Sequence, residues 1–483
     1  MRFIKFPFSF LYSRKISAVR QSLILAGVCF LAISCAIVQE VKEPLPQENI
    51  VRAEQKQVLG LAVSDVPEVS QAALDILSAG GNAVDAATAM MFHLSVVLPS
   101  RAGVMGGGVC QIYFPDEKNA KTLDFASPAF VPDRGAGVPS LPRGSFYMQS
   151  RYGRQSWASV MKPAIRAAEK TVVSGAFYQD LKRYADAAQK ARLSGLIPFQ
   201  PVSIFQKESG EIFQKGESFA QPALKKLLSQ MAESGTGVLY NGEMAEAFLK
   251  NALSQGYALP AEQLKQYRPK MYDSEIIESK KGVVFLQSKE ISGDAGVTLA
   301  KAFLDDNHAR AGKAGRVLDN FSKGRVYPFG TVDGTSFVVQ DESKMTVVCG
   351  LSVGSLFGTG SYLSSEGVFL AKPTAAQKSA FFSVLYLNTE QDALKKDSFY
   401  ASAAVGTFAF ADQMRVFKEL FSDGYSLPEA MATVQQKVTD DKEERAFMEQ
   451  NQVVLCQDGV CLLASDSRGH GAGVFLKKSN LPL

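Results

Sequence analysis

The stretch Ser70-Gln71-Ala72-Ala73-Leu74-Asp75-Ile76-Leu77-Ser78-Ala79-Gly80-Gly81-Asn82-Ala83-Val84-Asp85-Ala86-Ala87 holds one helix, the break after it and the start of another. Ser70, just after Pro67-Glu68, is the expected N-cap. Ala73, Leu74, Ile76 and Leu77 then recur at helical spacing until Gly80-Gly81 stops the run. The second helix, Ala83 to about Val96, is apolar around its whole circumference, which places it inside the protein rather than on its surface. Pro99 ends it, Gly103 to Gly108 follows, and Val109 to Phe114 reads as a strand. Leu224, Leu227, Leu228 and Met231 predict a further amphipathic helix, as do Met414, Phe417 and Phe421 before Asp423-Gly424. Strands are expected in Ser336 to Gln340 and Met345 to Cys349. Helices toward both ends with strand pairs between them predict a layered α/β or α+β architecture, without an internal repeat.

Apolar residues make up 46% of the 483 positions and charged residues 21%, enough apolar material for a large core. The net charge of +4 is spread thinly, with no long basic run beyond the first residues, so the chain carries no electrostatic footprint for nucleic acid. Residues 1–38 differ from the rest. Lys5, Arg14, Lys15 and Arg20 precede Ser22 to Val38, which is uncharged and mostly apolar. That run is short for a bilayer core of about 30 Å and long for the apolar part of a signal peptide. Within it, Leu31-Ala32-Ile33-Ser34-Cys35 resembles a bacterial lipobox, with Ala32 where Leu is usual. Two readings follow: a cleaved leader with a lipid on Cys35, or an uncleaved signal anchor. Both put the body on the periplasmic side of a bacterial membrane, held there by lipid or leader. Residues 39–58 read as a polar tether with two prolines, and the body begins near Leu59.

Of the remaining cysteines, Cys110 and Cys349 sit singly in apolar runs and read as small buried hydrophobes. Cys456 and Cys461 flank Asp458-Gly459, a hairpin signal that brings their sulfurs together, either as a disulfide or as two free thiols. His93, His308 and His470 are far apart and lack ligand spacing, so no metal site is expected.

Four ordered blocks are similar to gamma-glutamyltranspeptidases. They are Ser70 through Ala87 with the later Gly106-Gly107-Gly108; Tyr152-Gly153-Arg154 with Trp157, Pro163-Ala164-Ile165 and Ala168-Glu169; Leu239 to Ala245; and Ser465-Asp466-Ser467-Arg468-Gly469-His470-Gly471. The resemblance covers roughly Leu59 to Phe475, with residues 59–333 resembling the family's large subunit and 334–483 its small one. It implies an αββα sandwich of the N-terminal-nucleophile hydrolase type and no cofactor. It also implies a precursor that cuts itself before a Thr, whose hydroxyl then attacks gamma-glutamyl amides with its own freed amine as base.

At the positions that carry this chemistry the chain departs from the family. The nucleophile position falls on Gly334 in Gly334-Thr335-Ser336-Phe337, and glycine has no side chain to attack with. The Arg that clamps the substrate carboxylate falls on Ala126, the acidic segment that receives the α-amine on Ala371 to Gln377, and the Ser pair on Ser379-Ala380. The oxyanion-hole glycines fall near Ala404-Val405. Three function classes follow. One is an exported scaffold in which ordinary gamma-glutamyl transfer or hydrolysis is lost or altered. The second is an active amidohydrolase in a register one residue along, cut after Gly334, with Thr335 as nucleophile supported by Ser336 and a small gamma-glutamyl or other amide as ligand. The third is a serine hydrolase on Gly350-Leu351-Ser352-Val353-Gly354, which needs a helix directly after the serine; in the family register Ser352 instead replaces a Thr near the active centre.

Overall fold

The computed structural model describes residues 50–130, 135–193, 203–305, 308–322, 332–388, 398–439, 451–466 and 470–478. Cys35 and the rest of the leader lie outside the described residues. Contacts divide the chain into Met1–Leu45 and a compact unit, Pro46–Leu483.

That compact unit is built on two seven-stranded antiparallel sheets. In chain order the strands are β1 (Ile50–Glu54), β2 (Val58–Ser64), β3 (Gly107–Phe114), β4 (Asn119–Phe125), β5 (Lys270–Asp273), β6 (Glu275–Glu278) and β7 (Gly282–Leu286). Then come β8 (Asp333–Gln340), β9 (Thr346–Gly354), β10 (Phe381–Asn388), β11 (Phe399–Val405), β12 (Gln452–Gln457), β13 (Val460–Ser465) and β14 (Ala472–Lys477). The first sheet runs β1-β13-β12-β11-β10-β7-β6 and the second β14-β2-β8-β9-β3-β4-β5. The segment Ile50 to Glu54, expected to belong to the tether, pairs with Val460 to Ala464 instead. The sheet captures this segment as an edge strand. The boundary between residues 333 and 334 falls inside β8.

Side-chain alternation assigns each face. On β8, Val338 packs between the sheets with Val348, Ala403 and Val454, whereas Phe337 and Val339 face the helical layer. That layer contains α1 (Pro67–Ser78), α2 (Ala83–Val97) and α3 (Trp157–Glu169). Every residue of α2 is buried, as its unbroken apolar circumference predicts. On the far side of the first sheet lies α4 (Ala409–Phe421), with Phe410 against Phe382 and Phe417 and Phe421 against Tyr386 and Tyr400. The order helix, sheet, sheet, helix is the αββα sandwich.

The first two blocks of the resemblance meet here, and their residues are structural. Asn82 caps α2 through the backbone N–H groups of Val84 and Asp85, and Asp85 returns a bond to the Asn82 backbone N–H. Asp85 also accepts from the N–H groups of Arg154 and Gln155, at 2.8 and 3.1 Å, and Asn82 donates to the Tyr152 carbonyl. Ser70 is not the cap of α1. The helix starts at Pro67 after Val66, because proline's fixed φ suits the first turn. Ser70 lies buried inside the helix, sharing a 2.8 Å hydrogen bond with Ser64 and donating to the Ala472 carbonyl.

Cys110 and Cys349, read as separate buried hydrophobes, form a disulfide. They stand directly opposite each other on β3 and β9, a pairing of residues 239 apart that no local pattern reveals. Cys456 and Cys461 also form a disulfide, across the hairpin of β12 and β13. Asp458 and Gly459 take φ of 52° and 74° at the turn, the left-handed pair that a two-residue hairpin of this twist needs.

Candidate functional site

Gly334 sits on β8 facing the other sheet, one residue after an irregularity in the β8–β9 register. A Cβ built on it would lie 2.3 Å from Val405 Cγ1, 2.5 Å from the Leu351 carbonyl oxygen and 2.8 Å from Val405 Cβ. On the neighbouring strand, a Cβ on Gly350 would lie 2.5 Å from Val405 Cγ2. The Val405 isopropyl group therefore rests on two glycines, in the space that a side chain at position 334 would need. Several of the positions that the resemblance assigns to the substrate pocket lie beside it. Val405, Ala126, Ala380 and Phe381 form one buried apolar cluster with Val109, Ile291 and Val332, and Ala375 packs against its side. At its edge Lys378 Nζ donates to Asp124 Oδ2 at 2.8 Å, and Asp333, next to Gly334, pairs with Arg183 at 3.4 Å. Ser379 is half-buried on the 3₁₀ segment Ala375–Ala380, beside the cluster rather than in it. Burial of this apolar cluster stabilises that part of the sandwich.

Thr335 points to the opposite face of β8. It is 2% exposed, and its Oγ1 donates to Asp65 Oδ2 at 2.6 Å. Asp65, just beyond β2, is fully buried and also accepts from Gln452 Nε2 at 2.5 Å. Burial pushes its carboxyl up to about 7, against the opposing pull of Arg101 and the Thr335 hydrogen bond. Arg101 Nη1 lies 4.0 Å from Asp65, but the guanidinium is committed elsewhere, with Nε and Nη2 on Asp180 at 2.7 and 2.8 Å. Burial works against the Arg101 charge, yet this two-pronged contact holds its pKa above the ordinary value. Gln452 Oε1 has no partner; turned toward Asp65, it would accept from that carboxyl in its protonated form. Thr335 thus has a neighbour able to take a proton, but on the face turned away from the inter-sheet position of Gly334.

The two other serines are held by backbone. Ser336 Oγ donates to the Ala403 carbonyl at 3.1 Å. Ser352 Oγ donates to the Asp333 carbonyl at 2.5 Å and accepts from the Gly354 N–H at 2.7 Å. Ser352 lies inside β9 and is 1% exposed, so Gly350 to Gly354 is continuous strand and not the strand-to-helix elbow that a serine nucleophile of this motif requires. Sequence reasoning missed Asp65, Arg101, Asp180 and Gln452. Asp65 in Ser64-Asp65-Val66-Pro67 looks like an ordinary turn acid, and no spacing connects the four. Among the described residues, no group of three or more His, Cys, Asp or Glu is placed to hold a metal ion.

The gamma-glutamyltranspeptidase family model matches residues 69–312, just over half of the 483. This chain belongs to that family. The glutathione hydrolase proenzyme of Escherichia coli (strain K12) is 30% identical over 271 residues, 51% of this chain and 44% of that protein. Glutathione hydrolase 3 of Arabidopsis thaliana is 24% identical over 275 residues, 54% of this chain and 42% of that one. The chain thus spans less than half the length of these curated relatives. The solved cephalosporin acylase from Bacillus halodurans superposes with a TM-score of 0.68 at 18% identity, covering 89% of this chain and 97% of that one, which supports the sandwich over nearly its full extent. The family match ends at residue 312, short of Gly334.

Proposed function

We propose that this member of the gamma-glutamyltranspeptidase family has lost ordinary gamma-glutamyl transfer and hydrolysis, and serves as an exported, membrane-attached scaffold or binding protein on the periplasmic side. The observation that carries this reading is Val405 lying over Gly334. The position that should bear the nucleophile has neither a hydroxyl nor the room for one. Self-processing in the family pattern begins when a side-chain hydroxyl attacks the carbonyl before it, so Asp333-Gly334 has no group to start the reaction. Ala126, Ala375, Ala380 and Val405 replace polar recognition by apolar packing. Each missing charge-assisted contact is typically worth about 1.5–3 kcal/mol, so the loss of several removes measurable affinity for a gamma-glutamyl group. The test is release of the anilide from a gamma-glutamyl anilide, together with glutathione binding by calorimetry. The reading expects neither, and catalytic release or saturable millimolar binding of glutathione would overturn it.

One observation favours a second reading, in which Thr335 is the nucleophile of an altered amidohydrolase. Its hydroxyl is hydrogen-bonded to Asp65, a carboxyl raised to about 7 and so matched to proton transfer at neutral pH. Against it stand the 2% exposure of Thr335 and its place on the helix-facing side of β8. Activity toward an amide that is abolished by both Thr335→Ala and Asp65→Asn, with the fold intact, would establish this reading in place of the first.

A further inference from the structure

On the outside of the helical layer, α1 and α3 bound a groove of about 570 Å³ floored by His93 of α2. Its charges are sorted by wall. Glu68 and Asp75, seven residues apart, stand on one face of α1, and Arg166 at the end of α3 with Lys170 just after it stands opposite. Among the described residues no ion pair crosses the groove. Glu68 instead accepts from Thr171 Oγ1 at 3.0 Å, and Asp75 accepts from Gln71 Nε2 at 3.1 Å. The groove thus presents an acidic wall and a basic wall that do not pair with each other. Between them His93 is 7% exposed, and its buried Nδ1 has no hydrogen-bond partner. Burial, with Arg166 nearby, lowers its pKa to about 4, so the imidazole is neutral at pH 7 and retains an acceptor nitrogen.

We propose that this groove binds a small zwitterion of the amino-acid or short-peptide class, with its ammonium toward Glu68 and Asp75, its carboxylate toward Arg166 and Lys170, and its backbone over the His93 ring. The site is separate from Gly334 and Thr335, and the proposal holds whether or not the chain is catalytic. Two separated poles of opposite sign select a ligand that carries both charges, and a groove of this size accommodates a dipeptide.

The test is titration of the full-length protein with glycylglycine, read by calorimetry and by the His93 ring signals in NMR. N-acetyl-glycylglycine, glycylglycinamide and inorganic phosphate serve as probes that each lack one or more of the required groups. The expected result is saturable glycylglycine binding that shifts the His93 signals, with affinity falling at least about tenfold for each blocked dipeptide and for Arg166→Gln. Arg166 is exposed, so that variant leaves the core untouched, and Lys170→Gln offers a second surface change with the same expectation. No shift of the His93 signals, unchanged affinity in both variants, or equal binding of phosphate and glycylglycine would overturn the proposal, the last by reducing the groove to a simple anion site.

Discussion

Replacing Gly334 with alanine adds a single methyl group where the structure has no space, and the cost can be worked out in advance. The new Cβ meets Val405 Cγ1 at 2.3 Å and the Leu351 carbonyl oxygen at 2.5 Å. A side chain can shift to relieve the first contact, whereas the second is backbone inside a sheet. Overpacking of this kind costs about 1–3 kcal/mol, and part of that is offset because alanine restricts the unfolded chain by a further 0.5–1 kcal/mol or so. Val405→Gly alone should cost about 2–4 kcal/mol, from the lost burial of a nearly inaccessible side chain and from glycine in a strand. In the double variant the first clash is gone, so the two changes should be non-additive, the pair being less destabilised than their sum by on the order of 1–2 kcal/mol. Urea unfolding of the wild type, both single variants and the double variant measures each value. Gly334→Ala as stable as wild type, or strictly additive effects, would show that position 334 is not closed by Val405 and would remove the steric argument.

The Asp65 carboxyl makes stability depend on pH. Its folded pKa of about 7 lies above the ordinary 3.8, so between these values the folded chain holds a proton that the unfolded chain has released, and stability falls as pH rises through that window and levels off above it. Asp65→Asn should remove this component, gaining relative to wild type by on the order of a few kcal/mol between pH 4 and pH 8; parallel profiles of urea midpoint against pH would contradict the assignment. Cys35→Ser should release the protein from the membrane fraction or leave it as unprocessed precursor, whereas a variant still membrane-bound with a cytoplasmic N-terminus would favour the uncleaved anchor.

Wherever one local signal governed, the sequence was readable. The apolar circumference of α2 announced its burial, and Asp458-Gly459 announced the hairpin that pairs Cys456 with Cys461. Four ordered blocks pointed to the family and its sandwich. What could not be read was anything made by strands distant in sequence. Cys110 meets Cys349 only because β3 and β9 are neighbours, and Val405 covers Gly334 only because one sheet lies on the other. The side-chain period of two explains why a one-residue register slip matters so much: it moves the hydroxyl of Thr335 from the inter-sheet face to the helix-facing side, against Asp65. Ser70 was misplaced for a related reason, since a serine near a helix start resembles a cap until its partners, Ser64 and the Ala472 carbonyl, are known.

The account rests most directly on whether the mature chain stays whole. Purified protein held at neutral pH should be analysed by intact mass and by denaturing electrophoresis under reducing conditions, because the Cys110–Cys349 disulfide would otherwise hold together two pieces cut between them. The account predicts one uncut chain through residues 333–335. A C-terminal fragment beginning at Thr335, residues 335 to 483 and so 149 residues long, that disappears in Thr335→Ala would contradict it and make Thr335 the nucleophile.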